Sequence, residues 1–157
     1  MKKIKKILCP IDFSELSDEA LEIGIQMAEK YGSAFSLIYV LPRPAFYDWT
    51  LTGMSNIVLD DYFEKSKKEV EKKIKSLVSI LEKDHPFLDV EHEISDKMDP
   101  AQAIVDRAKE IKADLIIMGS HGRKGMNRIL MGSVAESVLR HANCGVIIYK
   151  SKSLKLK

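Results

Sequence analysis

Four short apolar runs constrain this chain more than any other feature. Ile4 to Ile11 (above all Ile7, Leu8, Cys9 and Ile11), Ala34 to Leu41, Leu115 to Met118 and Cys144 to Tyr149 carry few polar side chains. The first three read as strands buried on both faces, and Cys144 to Tyr149 as the last strand, at a sheet edge. A fifth run, Phe87 to Ile94, alternates instead, with Leu88, Val90, His92 and Ile94 in one phase and Asp89, Glu91 and Glu93 in the other. One wet face marks an edge or near-edge strand, and His92, in the apolar phase, is expected to be a half-buried structural histidine. Between these runs lie segments of helical period. Strict alternation of buried strands with amphipathic helices argues an α/β fold: a doubly wound parallel sheet with helices on both faces.

The helices carry their own start and stop signals. Ser14 or Ser17 caps the first, in which Ala20, Gly24, Met27, Ala28 and Tyr31 repeat on one face, and Gly32 follows at a left-handed cap position. Ile57 to Asp84 is one long helix with Val70, Ile74, Leu77, Val78 and Leu81 as its stripe. Asp99-Pro100 opens the next, with Gln102 as a capping-box partner and Ala101, Ile104, Val105, Ala108 and Ile111 inward. Ser133 to His141 is the last helix, with Val134, Val138 and Leu139 inward. Pro42 to Asn56 has no period and holds Phe46, Tyr47 and Trp49. A loop of that length is usually functional, so its aromatics are candidates to cover a ligand or a partner, or to pack on their own domain.

The chain has 157 residues, enough for one domain, expected over residues 1–150 with a basic tail at 151–157. Its 25 basic and 23 acidic residues give a net charge of +2, too balanced for nucleic acid to be the main partner. No window approaches the ~18 apolar residues of a membrane span. Met1-Lys-Lys-Ile-Lys-Lys resembles a signal n-region, but Pro10, Asp12 and Glu15 interrupt any apolar core behind it. Cys9 and Cys144 have no metal-ligand spacing and suit a reducing compartment. The expectation is a cytoplasmic protein.

The chemistry concentrates after the Leu115–Met118 strand. Gly119-Ser120-His121-Gly122-Arg123-Lys124 follows it, and Gly132-Ser133 opens the last helix. A strand, a glycine-rich loop and a helix N-terminus together suit phosphate. Glycine lets backbone N–H groups come close to an anion, and the first N–H groups of a helix lie unpaired at the positive end of its dipole. In a doubly wound sheet ligands bind at the carboxyl ends of the strands, where strand order reverses. The residues expected there are Pro10 to Asp12, Val40-Leu41 and Met118 to Gly122, His121 among them.

Gly119, Gly122, Gly132 and Ser133 fill every fixed position of a G-x2-G-x9-G-[ST] signature. In this the chain resembles the ATP-binding branch of the universal stress protein A family. The likeness covers almost the whole chain, including Pro10-Ile11-Asp12 with Ser14, Ala20-Leu21, Asp114 to Gly122, Gly132 to Glu136 and Val146-Ile147-Ile148. It implies a five-stranded parallel sheet of order 3-2-1-4-5. It implies a homodimer formed through the last strands, with Val146, Ile147 and Ile148. By the same resemblance Asp12 binds a ribose, while Pro10 and the Val40 backbone border an adenine. The Gly119 and Gly122 backbones, with Gly132, Ser133 and Val134, hold the phosphates of ATP, ADP or AMP. Arg123, Lys124 and Arg128 add positive charge there. Asp12 also has the sequence setting of a turn or capping aspartate. Many family members carry Pro before the last strand, where this chain has Cys144-Gly145.

Two functions are expected from this. The first is a homodimeric, ATP-binding regulatory protein of the stress response. The second is a slow ATPase or nucleotidyl-transfer enzyme on the same site. A ligand-free dimerisation module is a third, disfavoured by the intact motif. No acidic residue lies between Gly119 and Ser133. No protein metal ligand is therefore expected, and Mg²⁺ or Mn²⁺ would be held mainly through the phosphates. No catalytic residue is assigned; His121 is the one base candidate in the loop.

Overall fold

The structure is a computed structural model that describes residues 3–42, 56–121 and 131–150. Phe46, Tyr47, Trp49, Gly122, Arg123, Lys124, Arg128 and the tail 151–157 lie outside the described residues. The elements run in order as β1 (Lys6–Ile11), α1 (Glu15–Tyr31), β2 (Ala34–Val40), α2 (Asn56–Asp84), β3 (Val90–Ser95), α3 (Pro100–Glu110), β4 (Leu115–Gly119), α4 (Ser133–His141) and β5 (Gly145–Tyr149). All strand pairs are parallel, and the five strands form one sheet of order β3-β2-β1-β4-β5.

One face of the sheet presents Ile7, Cys9, Phe35, Leu37 and Ile117 to Ala20, Leu21, Ile25 and Ala28 of α1 and to Ile74, Val78 and Leu81 of α2. The other presents Leu8, Ile38, Ile116 and Met118 to Ala101, Ile104 and Ala108 of α3 and to Ala135 and Val138 of α4. Ile7, Leu8, Phe35, Ile116 and Ile117 are fully buried. Burying an Ile, Leu or Phe contributes roughly 1.5–3 kcal/mol each, so these two layers dominate the stability of the sheet.

Helix ends follow local chemistry. Ser14 is the N-cap of α1, accepting from the Ser17 amide, and Gly32 closes the helix at φ +62°. Asp99 caps α3 through Ala101 N–H (2.9 Å) and Gln102 N–H (3.2 Å). The Gln102 side chain does not complete a capping box; its Nε2 donates to Asp106 at 2.8 Å. The nearer carboxylate one turn ahead takes it.

Four further expectations are corrected. His92 is exposed rather than half-buried. It belongs to the outer strand β3, where packing is limited to Val90 and Ile94. Tyr31 (38% exposed) sits on the last turn of α1, beyond the sheet-facing Ala28. Leu139 is 48% exposed. It lies one step round α4 from the buried Val138, on the outer part of the sheet near β5. The third strand also begins at Val90, not Phe87, whose ring is fully exposed.

Candidate functional site

The strand order reverses between β1 and β4. These two strands pair over Ile7↔Leu115 and Leu8↔Ile116, whereas β1 and β2 stay in register as far as Ile11↔Tyr39. Pro10 fits this short ladder. Lys5 C=O accepts from Ala34 beside β2 and Lys6 C=O from Asp114 beside β4. By alternation, the missing N–H of Pro10 faces the β4 side, where the ladder has already stopped, so no bond is lost.

A cavity of about 590 Å³ opens there. Its walls come from β1 and the turn after it (Pro10, Ile11, Asp12), the first turn of α1 (Ser17), the end of β2 and the residues after it (Ile38, Val40, Pro42) and α3 (Pro100, Ile104). Met118, Gly119, Ser120 and His121 of the β4 end, with Gly132 to Ala135 at the start of α4, complete it. The expected residues Pro10, Asp12, Val40, Met118, Gly119, His121, Gly132, Ser133 and Val134 are therefore brought together on one cavity. Gly122 and Arg123 lie outside the described residues. Sequence reasoning did not find Ser17, Ile38, Pro42, Pro100, Ile104 or Ala135 as site residues. Pro100 and Ile104 carry only helix signals in sequence; the clue was topological, because α3 follows a strand whose carboxyl end points the same way. Ser120 lies within the expected Met118 to Gly122 stretch, with no role of its own assigned to it there.

Asp12, Ser17, Ser120 and His121 each have a hydrogen-bond partner. Asp12 Oδ1 accepts from Ser14 N–H (3.0 Å) and Ser14 Oγ–H (2.6 Å), and Asp12 N–H donates to Ser17 Oγ (3.1 Å). Asp18, on the first turn of α1, has its carboxyl raised above the ordinary range, by partial burial first and then by the Asp12 and Glu22 carboxylates. Ser120 is 1% exposed, and its Oγ lies 3.0 Å from His121 Nδ1 in a hydrogen bond. Ser120 N–H donates to Tyr149 C=O at 2.8 Å.

The α4 N-terminus differs chemically from those of α1 and α3. Its N-cap is Gly132, with no side-chain cap bond, and the first intrahelical bond is Glu136 N–H to Gly132 C=O at 2.9 Å. The amides of Ser133, Val134 and Ala135 precede that first intrahelical bond and belong to residues that line the cavity, beside the Ser133 hydroxyl. Apolar walls from strand ends thus face a helix terminus that favours anions. At Gly119 a Cβ would lie 3.1 Å from the Leu16 backbone, so a larger residue there would make the start of α1 give by a few tenths of an ångström. Among the described residues, no three His, Cys, Asp or Glu side chains converge as a metal site.

Comparison with known proteins gives a consistent result. The profile of the universal stress protein family matches residues 3–150. A universal stress protein of Methanocaldococcus jannaschii is 33% identical over 146 residues, covering 93% of this chain and 82% of the relative. The fold of a universal stress protein from Lactobacillus plantarum superposes with a TM-score of 0.82 at 23% identity, over 96% of this chain and 100% of the other. A universal stress protein from Archaeoglobus fulgidus, solved in complex with dAMP, superposes with a TM-score of 0.65 at 23% identity, over 96% of this chain and 100% of the other.

Proposed function

This chain belongs to the universal stress protein family, and from that premise we propose that it is an ATP-binding regulatory protein of the stress response. It acts as a cytoplasmic homodimer whose nucleotide occupancy is the signal. The nucleotide domain spans residues 1–150. The observation that carries this reading is the composition of one cavity: apolar strand ends on one side and the uncapped start of α4 on the other. At about 590 Å³ its volume falls in the ordinary range for small-molecule sites.

The residues present fit an adenine nucleotide. Pro10, Val40 and Met118 offer apolar surface to a base. Asp12, on the cavity wall, accepts from ribose hydroxyls in this reading. The Gly119 backbone, the first α4 amides at Ser133 and Val134, and Ser133 Oγ suit phosphate oxygens. Gly122, a fixed position of the family signature, and the cationic Arg123 beside it complete the phosphate end. Mg²⁺ or Mn²⁺ is held mainly through the phosphates. The dAMP-bound relative supports adenine nucleotides as the ligand class.

A second reading, a slow ATPase, draws on one observation: Ser120 Oγ fixes the ring of His121 at the cavity wall. The test of the main reading is direct. Protein purified without added nucleotide is denatured and its released small molecules are identified by mass spectrometry, and nucleotide-free protein is titrated calorimetrically with ATP, ADP and AMP. Bound adenine nucleotide, or micromolar ATP affinity, is expected. No binding of any of the three would overturn the proposal.

A further inference from the structure

Two non-glycine residues among those described have positive φ: Lys112 at +54° and Phe13 at +60°. Lys112 follows the C-cap of α3, an ordinary place for it. Phe13 stands instead between β1 and α1, directly after Asp12 of the cavity. The left-handed region is unfavourable for a residue with a Cβ, and more so for a bulky one, so the surroundings must enforce it.

Two sets of contacts do so. One is polar: Ser14 N–H and Oγ–H on Asp12 Oδ1, Asp12 N–H on Ser17 Oγ, and Ser17 N–H on Ser14 Oγ at 3.3 Å. The other is the Phe13 ring. It lies 5.6 Å from the Tyr39 ring at a 37° tilt, and Lys73 Nζ sits 5.8 Å from its centroid. Tyr39 is 3% exposed, pairs in register with Ile11, and precedes Val40 of the cavity wall. Lys73 belongs to α2. The ring packs into the α1–α2 side of the core, while Asp12 lines the cavity.

We propose that Phe13 is a positioning residue for nucleotide binding: its ring, held by Tyr39 and Lys73, keeps the turn left-handed and thereby aims Asp12 into the cavity. This rests on the nucleotide reading of that cavity. Without the ring, a residue with a Cβ relaxes toward negative φ and carries the Asp12 carboxylate with it. Glycine has no such incentive, because both signs of φ are open to it.

The side-chain series at position 13 separates positioning from packing. Phe13→Ala is expected to weaken ATP about tenfold, roughly the loss of one hydrogen bond to a charged group. Phe13→Gly deletes more side chain, yet should stay within about threefold of wild type, because the polar contacts alone then hold the turn. Phe13→Asn, which also tolerates the left-handed region, should group with Phe13→Gly. In an Asp12→Ala background, Phe13→Ala should add less than about twofold, because both changes act on the same group. Calorimetric titration of variants shown folded by thermal melting reads all four. A Gly or Asn variant as weak as Ala, or a Phe13→Ala loss that adds in full to Asp12→Ala, overturns the proposal. If Phe13→Ala does not fold, retention by Gly and Asn decides it, and a loss in either overturns it. A wild type that binds no adenine nucleotide overturns the reading of the site, and this proposal with it.

Discussion

The backbone N–H of Gly132 donates to the carbonyl of Ser120 across 2.8 Å, and a Cβ built on Gly132 would lie 3.0 Å from that same oxygen. The last residue before α4 is therefore pressed against the residue that follows β4. Gly132 has φ −65° and ψ 149°, so its backbone conformation is open to any residue. Glycine is demanded here by close approach, and the approach sets where the first amides of α4 point.

Gly132→Ala follows from this contact. The added methyl must push the Ser120 carbonyl away, and overpacking of that kind costs about 1–3 kcal/mol. Urea denaturation should show the loss, and calorimetry should show weakened ATP binding. Gly132→Val should abolish binding in a protein that still folds. A folded Gly132→Val protein with unchanged ATP affinity would contradict the phosphate assignment.

Asp12→Ala separates a ligand role from a turn role. If Asp12 accepts from ribose hydroxyls, ATP should weaken by about 1–3 kcal/mol, and the preference for ATP over 2′-deoxy-ATP should shrink. Base and phosphate contacts do not involve the 2′-hydroxyl, so they should leave measurable 2′-deoxy-ATP binding in the wild type. Equal losses for both nucleotides would assign Asp12 to its bonds with Ser14 alone.

Much of this architecture was legible in sequence because burial on two faces leaves a plain mark. Ile4 to Ile11, Ala34 to Leu41 and Leu115 to Met118 read as buried strands, and β1, β2 and β4 are the three inner strands of the sheet. Gly32 read as a left-handed cap, and it is one. Between Ser14 and Ser17 the sequence did not discriminate, because both hydroxyls take part: Ser14 caps α1 while Ser17 Oγ accepts from Asp12. The misses lie at the margins. Period assigned His92 and Leu139 to apolar faces, but period does not say where a sheet ends. The cavity residues Pro100 and Ile104 were invisible as such, because they join the site through topology and not through a motif.

Cys9 gives a pH prediction. Complete burial pushes its thiol up to about 12 from an ordinary 9.0. A folded pKa raised above the unfolded one means stability that is fully present below about pH 9 and declines as pH rises from there toward 12. The thiol is unreactive in the fold. Iodoacetamide at pH 8 should modify the half-buried Cys144 before Cys9, as read by peptide mass spectrometry, and Cys9 only on unfolding. Equal labelling rates in the folded protein would refute the assignment. Urea midpoints should also fall between pH 8 and pH 10.

The two outer strands differ in a way that bears on self-association. At β3, Arg107 pairs with Glu93 (3.0 Å) and Glu91 (3.5 Å), a charged edge that resists pairing with another chain. At β5 the half-buried Val146, Ile147, Ile148 and Tyr149 carry no charge, and the exposed Leu139 of α4 belongs to the same end of the sheet. A C₂ pairing through β5 should therefore give twice the 17.8 kDa chain mass in light scattering. Ile147→Lys should shift the protein toward monomer. Gly145 keeps the backbone N–H that a proline would lack, and this N–H donates to Asp114 C=O at 3.2 Å. A monomeric wild type at micromolar concentration would count against the β5 interface.

Sensor and enzyme are separated by what the site offers to a transition state. The expected phosphate contacts are backbone amides, Ser133 and the cationic side chains of the motif. Such groups stabilise ground-state phosphate, and binding ground and transition states equally does not raise the rate. No acidic residue lies between Gly119 and Ser133 to fix a metal. Turnover should therefore fall well below the ~1–10³ s⁻¹ typical of enzymes. The group that argues the other way is His121, whose ring is held by Ser120 Oγ at 3.0 Å on the cavity wall. An imidazole so fixed is able to orient a water. The measurement is single-turnover ADP release from pre-bound ATP, for wild type, His121→Ala and Ser120→Ala. Slow release, unchanged in both variants, is the expected outcome, and it leaves occupancy itself as the signal. Fast release that collapses in His121→Ala and drops in Ser120→Ala would make the protein an ATPase whose base is set by its buried serine.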